Sequence, residues 1–404
     1  MTGLASTSVP DAEGAGLTVA VVAGEVSGDL LGADLVAAMR QYDRGPLRLV
    51  GVGGDALAEQ GLQSLFDFSE LSIMGLTQVL ARLPGLIRRI RQTADAIIAA
   101  KPDVLIIIDS PDFTHRVAKR VRAALPHLPI VNYVCPSVWA WKDYRATAML
   151  PYVDRVLAVL PFEPEVMARL GGPETTFVGH RLTGDAGILR VRQARAERAG
   201  VSSEAPRTIL LAPGSRSAEI TALLPVFGET ARQFVNRNGE TRFLLPTVPR
   251  REALVRKLAA SLPVPVEITA DEEGKRQAFA EADAALAASG TVILELALAT
   301  VPVVSTYKAD WLIRLLASRI KIWSGALPNL IADYHVVPEY FNEMTRPAAL
   351  CRVVERLSAE TLQRRAMLEA FDLVWQKLQV PVPSGEAAAA AVFDTIDRKR
   401  AIRR

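Results

Sequence analysis

Cysteine is nearly absent from this sequence: Cys135 and Cys351 are the only two in 404 residues. Two thiols so far apart supply neither a disulfide framework nor a zinc cluster, and they fit a reducing compartment, the cytoplasm. An excess of one charge is also missing. The 47 basic residues almost balance the 44 acidic ones, leaving a net charge of +3. No global basic field marks a nucleic-acid partner, and none is expected. No run of about 18 apolar residues occurs, so no membrane-spanning helix is expected. Residues 1–16 lack a basic stretch followed by an apolar one and read as a disordered tail, not a secretory leader. The histidines at 115, 127, 180 and 335 have no metal-ligand spacing, so neither a metal nor another cofactor is expected.

What is present is globular. Half the residues are hydrophobic and 23% are charged, and the length exceeds what one core usually organises, so two domains are expected. Residues 17–23, 104–108, 130–134 and 155–159 are apolar runs separated by helical patterns, each stopped by glycine, proline or a polar turn. The pattern restarts with runs at 208–211, 242–245, 284–287 and 301–306. Strands this apolar indicate parallel sheets covered on both faces. The fold class is α/β, with two Rossmann-like doubly wound domains facing a central cleft. The expected boundaries are 17–185 for the first domain, 186–207 for an Arg- and Ala-rich helical linker, and 208–380 for the second. A final helix within 381–404 packs on the first half or on a partner chain, as in a homodimer.

Ligands of doubly wound sheets bind at the carboxyl ends of strands, and the unusual residues fall there. The first loop is Gly24-Glu25-Val26-Ser27-Gly28-Asp29. Glycines at a strand-to-helix turn bring a ligand near the backbone, where a helix N-terminus favours anions. The spacing is not G-x-G-x-x-G, so no dinucleotide fingerprint is read. Asp29 fits a capping role equally well, whereas Glu25 precedes the helix, where a carboxylate can face the cleft. The loop Asp109-Ser110-Pro111-Asp112-Phe113 closes the most apolar strand. Its two carboxylates suit general-base work on a hydroxyl, and one of them suits a helix cap; which is which stays open. Trp139 and Trp141 in the next loop suit a sugar or acyl chain, although core packing is the commoner fate of tryptophan.

The second half opens with Pro213-Gly214-Ser215-Arg216. Its turn offers backbone N–H groups, and Arg216 offers a forked cation for phosphate oxygens. The Walker lysine is missing, so this is no P-loop. Ser289, Gly290 and Thr291 form a second turn fit for phosphate. Glu295, one helical turn on, can accept ribose hydroxyls or simply favour the helix N-terminus. Segments 75–91 and 311–323 mix Leu, Ile and Trp with Arg and Lys. They read as core helices with a charged outer face or as docking surfaces for an anionic membrane.

The motifs AGEVSGD (23–29), LSIMGL (71–76), IDSPDF (108–113), PSVWAW (136–141), LPFE (160–163), FVGH (177–180), PGSR (213–216), ASGTVILE (288–295) and LPNLIA (327–332) occur in that order. Together they resemble the signatures of the lipid-A-disaccharide synthase family, GT-B-type glycosyltransferases, from residue 18 to about 345. The resemblance implies transfer of 2,3-diacylglucosamine from UDP-2,3-diacylglucosamine to the 6′ hydroxyl of 2,3-diacylglucosamine 1-phosphate, with inversion and release of UDP. It also implies peripheral attachment to the anionic cytoplasmic face of the inner membrane. On this footing Asp109, Asp112 and Glu25 are catalytic candidates. Gly214, Ser215, Arg216, Ser289, Gly290, Thr291, Glu295 and Asn329 are candidates for holding UDP. Ser27, Met74, Trp139, Trp141 and Glu339 are candidates for the acceptor and its acyl chains. The sequence departs from the family pattern at Thr114, where Asn is common, at Arg181, where Pro is common, and at Asn342, where Gln is usual. Competing readings are another UDP-GlcNAc enzyme of this fold, either a peptidoglycan-type transferase or a 2-epimerase, and a non-catalytic nucleotide-sugar or lipid-binding protein.

Overall fold

Two six-stranded sheets, each wholly parallel, organise the chain. The computed structural model describes residues 16–71, 76–198, 206–308 and 321–403. The first sheet contains β1 (Leu17–Ala23), β2 (Leu47–Val52), β3 (Val104–Ile108), β4 (Ile130–Tyr133), β5 (Arg155–Ala158) and β6 (Thr175–Phe177), in the order β2-β1-β3-β4-β5-β6. The second contains β7 (Arg207–Ala212), β8 (Thr241–Pro246), β9 (Glu267–Thr269), β10 (Ala284–Ala288), β11 (Val303–Tyr307) and β12 (Glu339–Phe341), in the order β12-β11-β10-β7-β8-β9.

Burial explains the composition of the strands. Every residue of β3 and of β10 is buried, because helices cover both faces. Hydrophobic layers lie on each side of the first sheet, and a continuous core surrounds the second. Each fully buried Leu, Ile or Val contributes about 1.5–3 kcal/mol. The eight apolar runs of the sequence are the eight interior strands. The four strands without such a run, β2, β6, β9 and β12, are the sheet edges.

Within the expected helical linker, residues 186–198 form a helix. The helix Ala186–Arg198 packs on the helix Glu272–Glu281 and buries Ile188 and Val191 in the second core. Arg195 in the same helix donates to the carbonyls of Phe279 and Ala282. The tail expected over 1–16 lies, but for Gly16, outside the described residues.

The chain crosses between the two units twice. At the crossing the His180 N–H donates to the Leu378 carbonyl at 3.0 Å. Gly179 has φ 78°, and a Cβ there would lie 2.8 Å from Val380 Cγ2, so both backbone conformation and space call for glycine. The last helix, Ser384–Arg403, returns to pack on Val26–Met39 of the same chain. It buries Ala388, Val392, Phe393 and Ile396 beside the first sheet. Among the described residues no helix is long and apolar enough to cross a membrane.

Arg155 ties this last helix to β5. Its side chain is 6% exposed and pairs with Glu174 at 2.5 Å and Asp394 at 2.7 Å, and it donates to the Ala391 carbonyl. The two carboxylates are half exposed, so removing the cation lets water recover them. Arg155→Leu is therefore expected to cost about 2 kcal/mol, below the loss for a fully buried pair. The loss should appear as faster amide exchange over residues 384–403; unchanged protection would mean that the apolar face alone holds the helix.

Candidate active site

In each sheet the chain order reverses beside the first strand: between β1 and β3 in the first sheet, and between β7 and β10 in the second. Loops leaving such neighbouring strands diverge and open a crevice at their carboxyl ends. The four candidate loops, 24–29, 109–113, 213–216 and 289–291, leave these four strands. The first two loops touch: a Cβ on Gly24 would lie 2.2 Å from Ser110 Cβ. The backbone at the carboxyl ends of β3 and β4 is strained. Asp109, Ser110 and Val134 have φ of 54°, 43° and 73°, a region costly for residues with a side chain and above all for a β-branched one. Thr114 helps hold the first of these turns, its hydroxyl donating to the Asp109 carbonyl at 2.7 Å.

Glu25 and Asp109 come together at this strained edge. Desolvation, then the neighbouring Asp109 carboxylate, raises the Glu25 carboxyl above its ordinary value, and the Arg216 guanidinium from the second sheet pulls it part of the way back. Residues from both halves thus share one electrostatic environment. Asp112 stands apart: its side chain is 83% exposed and pairs with Arg145 at 3.2 Å. Asp29 is committed elsewhere. It is buried and accepts from the N–H groups of Gly54, Ala56 and Leu57, so it caps the helix Asp55–Glu59 and not its own. Ser27 is exposed on the first turn of Val26–Met39.

A cavity of about 220 Å³ opens beside Asp109, lined also by Asp112, His115, Asn132, Trp141 and Arg145. Its floor is a hydrogen-bond chain. The Asn132 amide donates to the Val134 carbonyl at 2.9 Å, which turns its oxygen toward His115 Nε2 at 3.1 Å. The His115 Nδ1 then accepts from the Tyr152 hydroxyl at 3.0 Å. Burial, with Arg145 and Lys119 nearby, lowers the His115 pKa to about 4, so the ring is neutral and this tautomer is fixed.

On the other side, Gly214 has φ 107°, and a Cβ there would lie 2.6 Å from Glu219 Oε2. Arg216 is 65% exposed and donates through Nη1 to Glu219 Oε1 at 2.7 Å. Arg251 donates to the Ser215 carbonyl at 3.2 Å and so steadies the turn. The helices Ser217–Asn238 and Thr291–Leu298 start from the loops after β7 and β10. Glu295 is paired with Lys275 at 2.6 Å. Burial alone would lower the pKa of that ammonium, but its carboxylate neighbours outweigh burial and raise it.

Two further candidates, Asn329 and Glu339, lie in the second half. Asn329 is fully buried. Its amide nitrogen donates to Ser324 Oγ and the Val337 carbonyl, and its oxygen accepts from the N–H groups of Val336 and Val337. Nothing is left for a direct ribose or uracil contact, so Asn329 shapes the loop. Glu339, expected beside the acceptor, belongs to β12. It accepts from Ser324 Oγ at 2.6 Å and the Gly325 N–H at 3.0 Å, and Gly325 in turn neighbours Ser289. Glu339 therefore stands near Ser289, at the carboxyl edge of the second sheet.

Trp141 is 45% exposed at the cavity rim, with the Lys142 ammonium 4.0 Å above its ring. Trp139 is half-buried and packs against the cores of both halves. Met74, and segment 311–323 up to residue 320, lie outside the described residues. The sequence reading did not single out His115, Asn132, Arg145, Lys275 or Ser324. Asn132 lies within β4, Ser324 in a loop and the other three on helices, and only the fold brings them to the site.

A family model for lipid-A-disaccharide synthetase matches residues 19–387. Lipid-A-disaccharide synthase from Nitrobacter winogradskyi is 48% identical over 353 residues, 87% of this chain and 88% of that protein. Its namesake from Rhodospirillum centenum is 39% identical over 385 residues, covering 95% of this chain and 96% of that protein. Among solved structures, a putative UDP-N-acetylglucosamine 2-epimerase from Listeria monocytogenes superimposes with TM-score 0.61 at 14% identity, covering 95% and 98% of the two chains. A Staphylococcus aureus MnaA–UDP structure gives TM-score 0.59 at 14% identity, covering 93% and 95%. At that identity the likeness establishes the two-domain Rossmann-like fold of GT-B type and no more. Matched along nearly its whole length by the family's sequence, this chain belongs to the lipid-A-disaccharide synthases, the UDP-sugar glycosyltransferases of lipid A biosynthesis.

Proposed function

We propose that the cleft between the two strand-order reversals joins 2,3-diacylglucosamine, delivered as its UDP derivative, to the 6′ hydroxyl of 2,3-diacylglucosamine 1-phosphate. The observation that carries this assignment of roles is the shared environment of Asp109, Glu25 and Arg216. It sets a carboxylate pair from the first domain opposite a phosphate-binding cation from the second. The acceptor hydroxyl attacks the donor's anomeric carbon from the face opposite the diphosphate. The bond from that carbon to the phosphate oxygen breaks, UDP leaves with the electron pair, and the hydroxyl proton passes to a carboxylate.

Asp109 suits that proton transfer best. It lines the acceptor cavity and also acts on Glu25, so it lies between the acceptor and the diphosphate end. Asp112 is open to water, and its carboxylate is already engaged by Arg145 at 3.2 Å. Arg216 and the first N–H groups of the helices Ser217–Asn238 and Thr291–Leu298 offset the charge that develops on the departing diphosphate. Glu295 accepts the ribose hydroxyls, with Lys275 fixing its position.

Acylated substrates reside at a lipid surface, and we place the protein peripherally on the anionic cytoplasmic face of the inner membrane. The helix Leu76–Ala100 exposes Ile87, Arg88 and Arg91, and the neighbouring helix Pro111–Ala124 exposes Arg116, Lys119 and Arg120. Arg89 is occupied by Glu70 and by the Phe66 ring and contributes less to docking.

Asp109→Asn is expected to lower kcat about 10²-fold or more and Asp112→Asn by about tenfold or less, the former being the scale of a lost general base. UDP release measured with and without the monosaccharide acceptor reads both, and release without acceptor would point to an epimerase instead. Near-normal turnover of Asp109→Asn would remove it from the chemistry. Arg216→Ala should weaken UDP binding by about tenfold or more, the scale of a charged hydrogen bond, and Arg216→Lys should restore it only in part because the planar fork is lost. Calorimetry showing unchanged affinity would leave Arg216 as a partner of Glu219 only. Replacing Arg88, Arg91 and Arg120 together by Glu should reduce partition onto anionic vesicles at least tenfold, since each basic residue near the surface contributes about 1 kcal/mol. Undiminished vesicle binding by that folded variant would refute docking through this face.

A further inference from the structure

Glu163, the first residue of the helix Glu163–Arg169, is 2% exposed, and no cation among the described residues pairs with it. Its carboxylate collects three N–H donors: the Trp139 indole at 3.1 Å on Oε1, and the backbone groups of Val159 at 3.2 Å and Leu160 at 3.0 Å on Oε2. Leu160 belongs to the core of the second domain. Trp139 and Phe162 stack edge to face at 5.4 Å and touch the cores of both domains. The loop that carries Trp139 supplies Cys135, Pro136, Ser137 and Trp141 to the cavity beside Asp109. Its far end meets the second domain again, where the Lys321 N–H donates to the Ala140 carbonyl at 2.9 Å.

We propose that Glu163 is a positioning residue of the transfer reaction: through the Trp139 N–H it fixes the acceptor-side wall of the cleft relative to the second domain. The inference rests on the reading that the cavity beside Asp109 receives the acceptor. A purely structural role would be served as well by a neutral side chain, because a buried carboxylate without a counter-cation is costly. Burial pushes the Glu163 carboxyl up to about 7, against the pull of its three donors. The Cys135 thiol is the titratable group facing it. The folded-state value lies above the ordinary 4.5, so the folded chain holds this proton where the unfolded chain has lost it. The stability this contributes is complete below about pH 4.5 and is lost as pH rises through about 7. At pH 8 the protein thus carries an ionised group that works against folding, and the three donors it organises all belong to the junction between domains and cleft.

The test is steady-state kinetics of the full-length Glu163→Gln protein, with each substrate varied at pH 8 and pH 6. At pH 8 the acceptor KM should rise about fivefold to tenfold, the scale of one hydrogen bond lost. The donor KM should stay within about twofold, below the loss of even a weak hydrogen bond, and thermal stability should be equal or higher. The ratio of variant to wild-type acceptor KM should shrink toward one at pH 6, where the wild-type carboxyl is itself protonated; taking the ratio cancels the titration of the acceptor phosphate. Trp139→Phe keeps an aromatic ring but drops the N–H, so it should reproduce the acceptor defect, and the double variant should be no worse than either single one. An unchanged acceptor KM at pH 8, an equal rise for both substrates, or additive defects in the double variant would each overturn the proposal. Trp139→Phe decides the matter if Glu163→Gln does not fold. Turnover of Asp109→Asn tests the cavity reading separately, so loss of that reading is distinguishable from failure of Glu163 to act on acceptor binding.

Discussion

Parallel pairing is the constraint on which the rest of this molecule depends. All the strands of both sheets run the same way as their neighbours, so each sheet gathers its outgoing loops at a single edge. Where strand order reverses, two of those loops part and leave backbone N–H groups and polar side chains facing open space. The chain does this twice, and the two openings share charge: Glu25 feels both Asp109 from its own sheet and Arg216 from the other. Carboxylates of one sheet and a cation of the other thus face one space.

Holding such an edge open has a cost in polar groups. Irregular loops leave backbone N–H and C=O groups without ladder partners, and buried ones must find them elsewhere. Several side chains that look like ligand contacts are spent on this. Asp29 takes three N–H groups of the chain from Gly54 to Leu57. Asn329 gathers Val336, Val337 and Ser324. Asn132 and His115 support the carbonyl of the strained Val134. Thr114 does the same for Asp109. Arg216 is by contrast 65% exposed, with Nη1 donating to the Glu219 side chain.

The two units are joined in ways that differ in kind. At the back, two chain segments cross through the contact of Gly179 with Val380, close to Arg181, which faces Asp34 and Asp185 at 4.0 and 3.6 Å. At the cleft side a half-buried aromatic pair, Trp139 and Phe162, stands beside exposed polar contacts of Lys321 with Ala140 and Asp143. Charged contacts in water are weak and screened, whereas a buried aromatic pair is specific in geometry. The relative position of the domains is thus sensed most sharply where the cleft wall is built.

The sequence by itself determined the α/β class, the two-domain plan and the interior strands, because a strand covered on both faces must be apolar throughout and leaves a run that can be read. The edge strands β2, β6, β9 and β12 left no such run, being short or half exposed: Thr175–Phe177 and Glu267–Thr269 have three residues each. The loops bearing Glu25, Asp109, Arg216 and Ser289 were legible because glycine, proline and paired carboxylates stand out at strand ends. Which of their side chains are free was decided only by tertiary structure. A carboxylate or amide carries the same chemistry in sequence whether it faces a cleft or, like Asn329 and Glu163, is enclosed by backbone N–H groups. That difference is set by partners between 3 and 28 residues away, brought into reach by the packing of helices on sheets.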